Sequence, residues 1–427
     1  MIYNAALLLA LPLFIARIFV RGLRAPAYSE QWQDRLGFPA PLPPGTLWLH
    51  AVSVGEVNAA VPLIKAIKES HPHLPVLVTT STATGRQILQ QRLGALVEHR
   101  YYPYDFWPCA RWFIGRVQPR ALIILETELW PNMIGHCHAL GVPVLLINAR
   151  MSERSSRRYR LAAALTAEML GRLNSIAAQT GEDAARLVAL GAPRERVSVT
   201  GSLKFDIVIQ QSLLEQAQSL RREIGVSRPI LMAGSTRDGE EPLVLEAFRI
   251  LLEQYPNLLL ILAPRHPERN DGVHEQCRRQ DLLTVRRSAG QPVTDKSQVL
   301  LLDTMGELLP FYGAVDVAFV GGSLVKLGGQ NLLEPAGMGV PVVTGPHTFN
   351  FTRIAQLLAD AGGLFVVADA AALAAQVGVL LGDSNLRDAA GNAARDVYRQ
   401  NQGAANRVLE LVSAYLSADP PGERQAS

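Results

Sequence analysis

From Thr46 onward the chain alternates short apolar runs with amphipathic helical stretches, and few folds accept that pattern. An apolar run without polar alternation is buried on both faces, as in a central strand of a parallel sheet whose crossovers are helices. In the front half such strands are expected at Leu47–Val52, Val76–Thr80, Ala121–Leu125, Val144–Asn148, Ser175–Ala178 and Val197–Thr200. A second series is expected at Ile230–Ala233, Leu258–Ala263, Leu283–Val285, Val299–Leu302, Val317–Val320 and Pro341–Thr344. Between them, Ile207–Arg222 reads as a polar helix without a strand partner, broken at Ser227-Arg228-Pro229. A chain of 427 residues also exceeds what one core serves. The expectation is an α/β protein with two Rossmann-like domains facing across a cleft. Its parts are an anchor over 1–24, a first domain over 25–207, a linker helix over 208–228, a second domain over 229–416 and a loose tail over 417–427. Sheets of this kind bind ligands beyond the carboxyl ends of their strands, so strand exits are where chemistry is sought.

The segment Ile2–Val20 is apolar and as a helix measures roughly 28 Å, close to the bilayer hydrocarbon thickness. Arg17, Arg21 and Arg24 lie on its C-terminal side, which keeps the remainder cytoplasmic and disfavours a cleaved signal peptide. It either spans the membrane or, given Pro12 and Arg17, lies in the interface as a monotopic anchor. The net charge of +3 is unevenly spread: residues 1–207 hold 22 Lys and Arg against 14 Asp and Glu, the rest 19 against 24. A basic front half suits an anionic lipid surface or a phosphorylated acceptor. Cys109, Cys137 and Cys277 have no CxxC pairing, so neither a disulfide framework nor a zinc site is indicated.

Three front-half strand exits carry chemistry. Glu56, in His50-Ala51-Val52-Ser53-Val54-Gly55-Glu56, sits where a strand ends and a helix begins, placed to be a general base or simply to favour the helix dipole. Glu126 and Glu128 follow the next such strand; alternation turns one of them toward the site, Glu126 being favoured, and leaves the other to cap the following helix. Lys204 leaves the last front-half strand, where a cation can stabilise phosphate or carboxylate charge. The run Arg150–Arg160 is a basic helix suited to an anionic head group; aromatic interleaving is too sparse for nucleic acid.

In the back half, Arg265 and His266 follow a strand in a loop stiffened by two prolines, a setting for a phosphate or carboxylate. Met305, Gly306 and Glu307 follow another, with backbone able to read a base edge. Gly321–Pro346 crowds glycines ahead of a helix expected near Gln330, with Glu334 one turn in. Its amides and dipole suit a phosphate, and its carboxylate suits ribose hydroxyls.

The combination HAVSVGE, ETELWPN, GSLKFD, APRHPER, DTMGEL and GGSLVKLGGQNLLEPA, running essentially the full length, resembles the 3-deoxy-D-manno-octulosonic acid (Kdo) transferases of lipopolysaccharide assembly. The resemblance implies a two-domain glycosyltransferase of GT-B type on the cytoplasmic face of the inner membrane, in contact with its lipids. It implies CMP-Kdo as donor, the tetraacylated lipid A precursor as acceptor, inversion at the anomeric carbon, and neither metal nor cofactor. By motif, Glu56 would be the base, while Glu126 and Lys204 would support the transition state. Arg265, His266, Met305, Gly306, Glu307, Asn331, Leu332, Leu333 and Glu334 would hold CMP. Gln330 and Leu332 stand where the resemblance leads one to expect His and Pro, so no contact of that histidine is carried over. One alternative keeps the fold, another nucleotide-sugar transferase or epimerase, and a second comes from another class, a membrane-tethered nucleotide-binding module without catalysis.

Overall fold

The computed structural model describes residues 3, 4, 7 and 30–416. Apart from those first three positions, the expected anchor over 1–24 lies outside the described residues, as does the expected tail over 417–427. Among the described residues no helix is long and apolar enough to cross a membrane.

The chain forms two compact units, each built on a seven-stranded sheet in which every pairing is parallel. The first sheet contains β1 (Leu47–His50), β2 (Val76–Thr80), β3 (Glu98–Tyr101), β4 (Ala121–Leu125), β5 (Val144–Ala149), β6 (Ser175–Ala178) and β7 (Val197–Val199). Their order is β3-β2-β1-β4-β5-β6-β7. The second contains β8 (Ile230–Thr236), β9 (Leu259–Pro264), β10 (Thr284–Arg286), β11 (Val299–Leu301), β12 (Val317–Val320), β13 (Val342–Thr344) and β14 (Leu364–Val366), in the order β10-β11-β9-β8-β12-β13-β14. Strand order reverses beside β1 and β4 in the first sheet and beside β8 and β12 in the second. Chains diverge to opposite faces there, opening a crevice at the carboxyl ends.

The expected series omits β3 and β14, two of the four edge strands, although β14 is itself an apolar run, Leu364-Phe365-Val366. In β3, Glu98 is exposed and Arg100 half-buried while His99 and Tyr101 are buried, so the segment alternates instead of reading as an apolar block.

The unit boundaries also differ from expectation. The second unit is Ile207–Asn401, and the chain returns to the first unit from Gln402. Helix Gln211–Ile224, expected as a linker, buries Ala217, Leu220 and Ile224 against Phe311, Met338 and Val340 in the second core, and Arg221 pairs with Asp316 at 3.1 Å. Helix Ala404–Leu416, expected in the second domain, buries Ala404, Val408, Val412 and Leu416 with Leu63 and Ile67 of the first core. Asp206 fixes its start, accepting from the N–H groups of Gly403 (2.6 Å) and Ala405 (2.5 Å), a carboxylate at the positive end of a helix.

Candidate active site

In the first unit the expected acids gather at the strand-order reversal. Glu56 lies in the first turn of helix Val54–Ser70, which Ser53 caps. Its carboxylate turns back, accepting from Val52 N–H at 2.8 Å and from the Ser53 hydroxyl at 3.0 Å. Burial pushes its carboxyl up to about 7; the two hydrogen bonds oppose the shift, and the charges of Glu126 and Glu128 add to it. Glu126 follows β4 with a left-handed backbone (φ 58°), a conformation costly for a residue with a side chain. Lys204 Nζ stands 3.4 Å from its Oε1. Lys204 is carried by a short 3₁₀ turn, Leu203–Phe205, whose Leu203 N–H donates to Asn148 Oδ1 at 3.1 Å. Asn148 is fully buried and itself left-handed (φ 50°).

Glu128 does not cap the following helix. Its carboxylate accepts from the Trp130 indole N–H at 3.1 Å, and burial raises its pKa, with Glu126 contributing. Helix Pro131–Ala139 is capped instead by the buried Asp105, which accepts from the N–H groups of Asn132 (3.0 Å) and Met133 (2.8 Å) and from the Tyr3 hydroxyl (2.8 Å). Burial lifts Asp105 to about 6 against those three donors. Among the described residues no group of three or more His, Cys, Asp and Glu could hold a metal ion.

In the second unit the expected residues leave the same sheet, each tied to a local partner. Arg265 follows β9 with an exposed side chain. His266 Nε2 meets Arg237 Nη1 at 2.8 Å; burial lowers its pKa, and the Arg237 charge lowers it further. Met305 is 74% exposed, and Gly306 takes a left-handed turn (φ 87°). Glu307 is bound by Arg287 (3.1 Å) and by the Thr304 hydroxyl. Burial alone would raise its carboxyl, but these bonds hold it below its ordinary range. The helix expected near Gln330 begins at Leu333. Asn331 opens it, accepting from Leu333 N–H and donating to Glu334, both at 3.1 Å. Leu332 and Leu333 are fully buried, and the Leu333 N–H is already engaged by Asn331.

The glycine loop departs most from expectation. Gly321 has no room for a side chain: a Cβ there would come within 2.6 Å of Thr236 Cα. Yet the amides that follow are already occupied. Glu240, fully buried beside helix Glu241–Gln254, accepts from the N–H groups of Gly322 (2.5 Å), Ser323 (2.9 Å), Leu324 (2.9 Å) and Arg237 (2.9 Å). Sequence reading missed Glu240, Arg237 and Asn148. An acid opening a helix is visible as Gly239-Glu240-Glu241, but its partners Gly322, Ser323 and Leu324 lie more than 80 residues on.

A sequence model described as 3-deoxy-D-manno-octulosonic-acid transferase (kdotransferase) matches residues 30–207. The chain is 40% identical over 97% of its length to a 3-deoxy-D-manno-octulosonic acid transferase of Haemophilus influenzae, covering 98% of that protein. It is 38% identical to the same-named enzyme of Bordetella pertussis, over 97% of this chain and 99% of the other. Among solved structures, a glycosyltransferase from Rickettsia africae aligns with TM-score 0.56 at 14% identity, covering 88% of this chain and all of that one. A UDP-GlcNAc 2-epimerase from Neisseria meningitidis aligns with TM-score 0.53 at 15%, covering 86% and 100%. Identities this low speak to the fold alone, which transferases and epimerases share. The strand-exit acids, the two parallel sheets and the near full-length identity converge: the chain belongs to the 3-deoxy-D-manno-octulosonic acid (Kdo) transferase family.

Proposed function

We propose that this transferase moves Kdo from CMP-Kdo to a sugar hydroxyl of the tetraacylated lipid A precursor, inverting the anomeric carbon without a metal ion. The acceptor oxygen bonds to that carbon, its proton passes to Glu56, and the bond to the phosphate breaks with its electron pair leaving on CMP. The observation that carries the reading is Glu56 itself, a buried carboxyl raised to about 7 and oriented by Val52 N–H and Ser53. A base whose pKa lies near the working pH is populated in its active form and still accepts a proton readily. Lys204, paired with Glu126, supplies a cation for charge developing in the transition state. The basic excess of residues 1–207, including helix Glu153–Arg160, supports a phosphorylated acceptor in an anionic inner leaflet, with the enzyme on its cytoplasmic face.

Purified enzyme given labelled CMP-Kdo and lipid A precursor should label the lipid equally with and without EDTA. Absence of labelled lipid under conditions where a homologous transferase works overturns the reading, and loss of activity with EDTA overturns its metal independence.

The Glu56 shift sets the sign of the pH dependence. Below pH 7 the carboxyl is increasingly protonated and cannot accept a proton, so the transfer rate should rise through a single limb centred near pH 7. Initial rates between roughly pH 5.5 and 8.5 test this; a rate flat across the interval removes Glu56 from the role of base.

A further inference from the structure

Arginines crowd the carboxyl edge of the second sheet: Arg237 follows β8, Arg265 and Arg269 follow β9, Arg286 ends β10, and Arg287 comes next. Most are neutralised by acids of the chain. Arg269 binds Glu241 (2.7 and 2.8 Å) and Asp238 (3.2 Å), Arg286 binds Asp303 and Asp271 (2.7 Å each), and Arg287 binds Glu307 (3.1 Å) and Glu223 (3.2 Å). Arg237 and Arg265 have no carboxylate within ion-pair distance among the described residues. For the exposed Arg265 side chain, water suffices. Arg237 is half-buried at the strand-order reversal and packs beside Gly322, where an added Cβ would lie 3.5 Å from the Arg237 Cγ.

The Arg237 side chain is held by Nη1 donating to His266 Nε2, which requires an imidazole whose Nε2 carries a lone pair. That bond orients the guanidinium without cancelling its charge. A half-buried, oriented guanidinium with no carboxylate in ion-pair contact is a receptor for an anion. The neighbouring glycine loop is a poor one, because the N–H groups of Gly322, Ser323 and Leu324 are spent on Glu240, whose own charge repels a second anion there.

We propose that Arg237, seated by His266, is the group that binds the donor's phosphate. The inference rests on the reading of this unit as the CMP-Kdo site. As the sugar–phosphate bond breaks, the phosphate gains a charge, and a guanidinium already in place stabilises it without reorganisation.

The test is calorimetric titration of the full-length enzyme, wild type against Arg237→Ala and Arg237→Gln, with CMP, with cytidine and with CMP-Kdo in separate runs. Loss of a charge-assisted contact should weaken CMP binding about 10- to 100-fold in both variants while leaving cytidine affinity unchanged. Arg237→Gln keeps the aliphatic stem as far as Cδ, so a shared loss reports the missing guanidinium and not the missing stem. Unchanged CMP affinity in both variants overturns the assignment, as does equal weakening of cytidine. Weakened binding of intact CMP-Kdo with unaltered CMP binding would transfer Arg237 to the sugar carboxylate and also overturn it. A wild-type enzyme that binds no CMP would instead sink the donor reading itself.

Discussion

Glu56→Gln should lower kcat for Kdo transfer by about 10²- to 10⁴-fold, the usual contribution of a positioned general base, while CMP affinity stays at the wild-type value. The substitution nearly preserves shape. The glutamine carbonyl can still accept from Val52 N–H, and the Ser53 hydroxyl, which now donates to the carboxylate, can rotate to accept from the new amide. The Ser53 cap on helix Val54–Ser70 survives as well. What disappears is the capacity to take a proton, together with a buried charge that Glu126 and Glu128 disfavour. Folding should therefore not suffer, and the loss should fall on kcat more than on KM for the acceptor. Steady-state kinetics with both substrates, alongside CMP titration, measure each part. Turnover within a few-fold of wild type removes Glu56 from the chemistry.

Glu240→Ala should be the most damaging single change in the second unit. It leaves the buried N–H groups of Gly322 and Ser323 and the half-buried ones of Leu324 and Arg237 without their acceptor. Each unmet buried donor costs about 1–3 kcal/mol; because released loop segments can hydrate, a combined loss of about 3–6 kcal/mol is expected, together with loss of CMP binding. Glu240→Gln keeps one acceptor oxygen but points an amide at donors, so it should fall between the two. Asp238→Ala is the control, since its 95% exposed side chain and 3.2 Å contact with Arg269 predict a change below about 1 kcal/mol. Urea unfolding of the three variants separates these outcomes. A Glu240→Ala protein as stable as wild type would show that the carboxylate does not organise the glycine loop.

Central strands were legible because their signal is local. β4 reads as Ala-Leu-Ile-Ile-Leu in the sequence and is buried along its whole length. Edge strand β3 was not, since Glu98-His99-Arg100-Tyr101 alternates exposed and buried positions, while β14 is a short apolar run that the expected series omits. Helix Gln211–Ile224 looked polar because its apolar stripe is narrow, and only the surface beneath it reveals what that stripe buries. The acids of the first unit were found by position, Glu56 and Glu126 each leaving a strand at what proved to be the order reversal. In the glycine loop the close approach is of Gly321 to the Thr236 backbone, and the amides of Gly322, Ser323 and Leu324 are engaged by Glu240, a partner remote in sequence.

Legible in the linear chain are the α/β class, the doubled sheet, the strand exits that carry acidic and basic residues and, through its motifs, the family. Periodicity and turn chemistry act over a few residues, so they survive in a linear reading. Tertiary structure alone decided the partners: Lys204 with Glu126, Asp206 with the amides of Gly403 and Ala405, and Glu240 with the loop at Gly322–Leu324. These pairings follow from strand order, which crossovers set over tens of residues. A buried carboxylate is then claimed by whichever donors the finished fold leaves unpaired beside it.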